Sequence, residues 1–204
     1  MIYFDRILCL SGIAAPIILM FAVLISGFLH PGYSHVSQAI SELGARGVPF
    51  KDILNYAGLV PAGLFTISFS IAMFRQFAGK PALFIGCCLV TITGIGRFLA
   101  GIFPCDPGCF PIISISGRLH ALFGFVSLFA GSLAPLVMAS GIKRAASPSL
   151  FYLSLILGQA ALIMFFLLIS QLWMHYFGGI QRILLIFTYS WIILISVKMN
   201  TNID

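Results

Sequence analysis

The chain has 204 residues, 60% hydrophobic and only 8% charged, with a mean hydropathy of +1.10. A water-soluble domain carries roughly 25% charged residues, so this composition excludes one and makes lipid the main solvent. The net charge of +6 is spread over single basic residues and pairs, which excludes a nucleic-acid patch and reports membrane topology instead.

Backbone groups in lipid must pair internally, which leaves helices or closed barrels. Barrel strands alternate apolar and polar residues. Here the apolar runs are unbroken over about 20 residues, the length of a membrane-spanning helix. The sequence therefore predicts an all-α fold: one integral membrane domain, a polytopic bundle of six transmembrane helices. The spans fall at about 7–29, 53–74, 81–103, 117–140, 150–172 and 183–197. Pro16, Pro61 and Pro135 lie inside spans and are expected to kink them. The first run is long enough to span and has no small-x-small cleavage site, so it reads as an uncleaved helix.

The connections give an orientation. Arg6, Arg75, Lys80, Lys143, Arg144 and Lys198 fall on one side, and Arg46, Lys51, Arg118 and Arg182 on the other. The excess places both termini in the cytoplasm, here of a bacterial inner membrane, and turns the other side outward.

After the first span comes an outward connection, "HPGYSHVSQAISELGARGVPFKD". Stepped at about 100° per residue, Val36, Ala39, Ile40 and Leu43 share one side. Ser34, His35, Ser37, Gln38, Ser41 and Glu42 fill the other. This predicts a short amphipathic helix capped by Ser34 and Gly44, lying in the interface or across the bundle mouth. In the third span, Gly94 and Gly101 flank Arg97. In the fourth, Gly117 and Gly124 flank His120. Small residues at this spacing permit close helix approach. Arg97 sits about 9 Å inside its span at 1.5 Å per residue. It cannot shed its proton, so it snorkels or finds an anion, and Glu42 and Asp106 are the internal candidates.

Between these spans lies "FPCDPGC". Cys105 and Cys109 face outward, where disulfides persist, and Pro107-Gly108 suits the tight turn that would close so small a ring. A structural disulfide is the favoured reading. Structural zinc sites take four N or S ligands, so no metal is assigned. His120 is the one histidine well inside a span, which disfavours haem, and no cofactor is assigned. All four histidines, with Glu42, Asp52 and Asp106, map to the outward half. The fifth span has Gln159 near its middle but no acid, which disfavours an ion-coupled pump.

The stretches "PGYSHVSQAISELGARGVP", "GRFLAGIFPCDPGC" and "SGRLHALFG" resemble the multi-pass membrane family filed as domain of unknown function 998. "ISELG", "FPCDPGC" and Gly117 to His120 are the most specific parts, and the likeness runs from Ile7 to Val197. The resemblance implies a six-helix membrane protein whose marked positions are Ser41, Glu42, Arg97, Asp106 and His120. It carries no established activity.

Three functions follow as expectations. The first is an outward polar site of Arg97, Glu42, Asp106 and His120 that binds a lipid headgroup or another small anion. The second is an outer-leaflet lipid hydrolase or transferase. It would draw acid, base or orienting groups from His35, Glu42, Asp106 and His120, with Ser37 or Ser41 as nucleophile. The third is a membrane scaffold. The bilayer is the one firm partner, and nucleic acid is excluded.

Overall fold

The computed structural model describes residues 2–77, 79–142 and 147–201. Lys143 and Arg144, used above for orientation, lie outside the described residues. The helices are α1 (Ile2–Phe28), α2 (Val60–Phe77), α3 (Pro81–Ile102), α4 (Ile115–Gly141), α5 (Pro148–Ser170) and α6 (Phe177–Thr201). A π-helical stretch, Ile53–Leu59, runs directly into α2. Six segments are long and apolar enough to cross a membrane.

Each helix packs on its neighbour in sequence, α1 also packs on α6, and α6 reaches α4. The result is a closed up-and-down ring. The α1–α2, α3–α4 and α5–α6 connections gather at one end of it, called here the long-loop end.

Local chemistry sets the helix starts. Proline opens α3 and α5, where its missing N–H is not needed. Ser114 caps α4, its hydroxyl accepting from the Gly117 N–H at 2.9 Å. The kink expected of Pro61 takes the form of the wide turn before it. Val60 donates to Asn55 O, five residues back, because Pro61 has no N–H to continue the normal ladder.

Trp191, Phe69, Met73 and Met138 are fully buried in the interior, and Ile17, Met20, Ile85 and Ile156 cover the lipid-facing rim. Several buried polar side chains bond between helices. Ser127 donates to Thr93 O at 2.8 Å, Ser196 to Cys9 O at 2.5 Å, and Trp191 Nε1 to Ser154 at 3.0 Å.

The small-residue face of α3 finds close neighbours, but that of α4 does not, since Gly117 meets Asp106 of its own loop and Gly124 meets nothing within 4 Å. Gly94 and Gly101 of α3 face α2 and the π stretch, whereas α4 is approached by Gly96. Where α2 crosses α3, a Cβ on Gly63 would stand 2.6 Å from the backbone N of Phe98.

Two expectations change. The helix of the first connection is confined to a 3₁₀ turn, Ile40–Gly44, and the residues before it form a separate turn. Distant side chains have taken the backbone groups that a continuous helix would pair. Arg182 binds the His35 and Gln38 carbonyls, and Gln181 accepts from the Ile40 N–H. The expected face is kept in part, with Ala39, Ile40 and Leu43 buried and Val36 exposed. The last helix begins at Phe177, not Ile183, because Arg182 stays inside it by bonding to loop carbonyls.

The α2–α3 crossing gives a test. Gly63→Val has no room against backbone and is expected to cost about 1–3 kcal/mol, read as a lowered midpoint of thermal unfolding in detergent.

Candidate functional site

The first connection is stitched across the long-loop end from both sides. On the α6 side, Arg182 donates to His35 O at 2.7 Å, Gly178 O at 2.9 Å and the Tyr33 hydroxyl at 2.7 Å. Its Nη2 also lies 2.9 Å from His35 Nδ1. A guanidinium has only donors, so Nδ1 accepts and the ring proton sits on Nε2. Gly179 N–H donates to Val36 O at 2.8 Å, and a side chain on Gly178 would collide with the Gln38 carbonyl. Burial and the facing Arg182 charge both push the His35 pKa down from its ordinary value of 6.5.

On the α3–α4 side, Arg46 N–H donates to Cys105 O at 3.0 Å. Ala45 packs against Cys105 and Cys109, which are joined by a disulfide. Cys109 N–H donates to Asp106 O at 2.7 Å, with Gly108 at φ +70°. Pro107-Gly108 thus forms the turn that keeps this ring small.

Asp106 is the organiser of this loop. Its Oδ2 accepts from Ile113 N–H at 2.8 Å and Ser114 N–H at 3.0 Å, and its Oδ1 pairs with Arg46. Gly117 is small because the carboxylate occupies its Cβ space. The Ser114 and Ile113 N–H groups, helped by Ser114 and Arg46 side chains against the cost of burial, hold this carboxyl well below the usual carboxylate range.

Beneath this lid is a cavity of about 70 Å³, room for a few waters or one compact polar group. Its polar lining is Ser41, Arg97, His120, Ser127 and Gln181, and no carboxylate contributes to it. Arg97 is 4% exposed, and its Nη1 is buried with no hydrogen-bond partner. Its guanidinium carbon stacks 4.7 Å from the centre of the Tyr189 ring. Nδ1 of His120 lies 2.9 Å from both Ala100 O and Phe103 O. Those carbonyls can only accept, so Nδ1 carries the proton and Nε2 is the spare nitrogen. Gln181 gives its carbonyl to Ile40, which leaves its amide hydrogens spare.

Of the residues chosen from sequence, Arg97 and His120 share this cavity with Ser41. Glu42 does not line it and spends its oxygens on Ala39 N–H at 2.7 Å and Gln38 Nε2 at 3.0 Å. Asp106 serves Arg46 and the α4 start, so neither acid pairs with Arg97. His35 lines a different groove, between α1 and α6, and Ser37 is exposed. Among the described residues, no three His, Cys, Asp or Glu come together to hold a metal ion. Sequence reasoning missed Gln181 and the clamp role of Arg182. The one signal was the pair of glycines before them, Gly178 and Gly179, which mark close backbone approach.

The match to the family described as "Protein of unknown function (DUF998)" runs over residues 13–198. The chain belongs to that family. The matched region takes in the cavity, the lid and the disulfide loop. No curated protein and no solved structure matches the chain.

Two tests address the DUF998 lid. A carboxyl with a lowered folded pKa stabilises the fold above its unfolded value, here 3.8, and loses that effect as pH falls below it. Asp106→Asn is therefore expected to lower the unfolding midpoint at neutral pH, and the gap to wild type should narrow below about pH 4. For His35 the folded pKa is also lowered. Its neutral form then favours the fold above 6.5, and that contribution is lost as pH drops through the folded value. Amide protection over residues 33–40, taken relative to the intrinsic exchange rate at each pH, should fall on acidification in wild type and be already low, with little pH response, in Arg182→Met.

Proposed function

We propose that this protein binds a small anionic group, of the phosphate, sulfate or carboxylate class, in the cavity beneath the lid. The observation that carries the reading is Arg97: a buried cation whose Nη1 has no partner, facing a cavity lined by no acid. Stacking on Tyr189 supplies about 2 kcal/mol when desolvated, whereas the effective penalty for burying an ion is several kcal/mol. A bound anion would make up the difference. Ser41 and the Gln181 amide supply neutral donors. His120 adds a donor at Nε2 when protonated. By the excess of basic residues at the opposite end, the site opens to the outside of a cell membrane, and a headgroup of that leaflet is one source of the anion.

A second reading rests on His120. Two carbonyls fix its Nδ1 proton and leave Nε2 free to act as a base in the cavity that Ser41 also lines, which would suit hydrolysis or transfer of a lipid group. In that case wild type would release headgroup from phospholipid vesicles, and His120→Asn would not.

The binding reading is tested by thermal unfolding in detergent with added inorganic phosphate. Wild type is expected to gain stability in a saturable way, about 2.7 kcal/mol at a hundredfold excess over Kd. Arg97→Gln should show no gain, while Asp106→Asn, though less stable, should keep it. Equal responses from wild type and Arg97→Gln would sink the reading.

A further inference from the structure

A second cavity of about 350 Å³ adjoins the first, between α4 and α5. Its volume falls within the ~300–1,000 Å³ of small-molecule pockets. The two share Ser41, His120, Gly124, Leu128 and Gln181. Away from those residues the walls are apolar except for the exposed Gln171, with Phe165 and Leu168 buried and Phe125 and Ile169 exposed on the outer surface of the bundle. In a bilayer that surface meets acyl chains. The groove therefore lies between that surface and the cavity that Arg97 lines.

Gly124 stands at the junction and differs from the packing glycines. A Cβ at Gly63, Gly94, Gly96 or Gly101 would strike a neighbouring helix, yet at Gly124 it would meet nothing within 4 Å. Helix packing does not account for the missing side chain, and Gly124 lines both cavities.

A larger groove, about 470 Å³, lies between α1 and α6. Its Arg182 and His35 bond to each other, and Tyr189, which also lines it, stacks on Arg97. With the Arg97 cavity it shares only apolar residues, Leu19, Ile40 and Leu185, whereas the α4–α5 groove shares Ser41, His120 and Gln181.

Resting on the anion reading above, we infer that the ligand is a membrane lipid with an anionic headgroup, which enters sideways between α4 and α5. The headgroup pairs with Arg97, and one acyl chain lies in the α4–α5 groove. The charge of Arg97, the absence of a carboxylate around it and the continuity of the groove with the rim select this occupant over a water-soluble anion, which would leave the apolar groove unused.

The test uses the full chain in nanodiscs of zwitterionic lipid, with a single-chain lysophosphatidate carrying a photoreactive diazirine in its acyl chain. Labelled peptides are mapped by mass spectrometry, and glycerol 3-phosphate serves as competitor. Labelling is expected to concentrate on α4 around Phe125 and on α5 around Phe165 and Ile169. The competitor should suppress it, and Arg97→Gln should lower it at least about tenfold, as loss of a buried charge contact does. Ile169→Trp fills the groove on its exposed side, away from Arg97. It should cut labelling by a similar factor and leave the phosphate-induced thermal shift unchanged, while Gly124→Leu should also cut labelling. Uniform labelling of all six helices, or labelling indifferent to competitor and to Ile169→Trp, overturns the lipid inference while an Arg97-dependent phosphate shift still stands. Loss of the phosphate shift in wild type overturns both.

Discussion

A guanidinium keeps its proton in any solvent a protein meets, and the long-loop end of this bundle is arranged around one that lacks a counter-ion. Arg97 comes from the interior of α3, so it cannot be left out of the fold, and at 4% exposure it cannot be hydrated as a surface residue would be. The ring closure of α1 on α6 brings Tyr189 under its flat face. The remaining sides open on the cavity with His120, Ser41 and Gln181. The cavity thus combines a fixed charge, spare donors and a dry wall.

The surrounding polar groups make this incompleteness informative. Asp106 has two backbone N–H donors and an arginine; Glu42 has a backbone N–H and a glutamine; Arg182 has carbonyls, a phenol and an imidazole. Asn55 ties the π stretch to the lid through Gly44 O at 2.8 Å. These groups are consumed in holding the lid to α3, α4 and α6. Polar groups in a membrane bundle are mostly satisfied within the chain because lipid offers no substitute. Ser26 Oγ, Asn55 Oδ1 and the Tyr189 hydroxyl are also buried without a hydrogen bond, but these are neutral, whereas Arg97 brings a full charge to the cavity.

Much of the architecture was legible. Each helix could be read from its apolar run, because crossing a bilayer imposes a local length and composition. The tight turn at Pro107-Gly108 followed from the same kind of local rule, since only a glycine readily takes the positive φ found there. Arg97 and His120 stood out as polar residues inside apolar helices. Their shared cavity needed the tertiary structure: both line it, and α3 and α4 close to backbone contact at Gly96. The lid was misread as a continuous amphipathic helix. Its periodicity was real, but the partners that break it come from α6, and Arg182 is 147 residues from His35.

The sequence by itself determined the solvent, the number of helices, their approximate ends and the small set of polar residues that lipid would not tolerate without a reason. These are local properties, fixed by what a segment of about 20 residues must be in order to cross a membrane. Only the tertiary structure decided which charge meets which. It gave Asp106 to Arg46, Glu42 to its own turn and the loop carbonyls to Arg182, leaving Arg97 with an aromatic face and an open cavity. The physical reason is that electrostatic pairing depends on distances of a few ångströms, and those distances are set by the order in which six helices close into a ring.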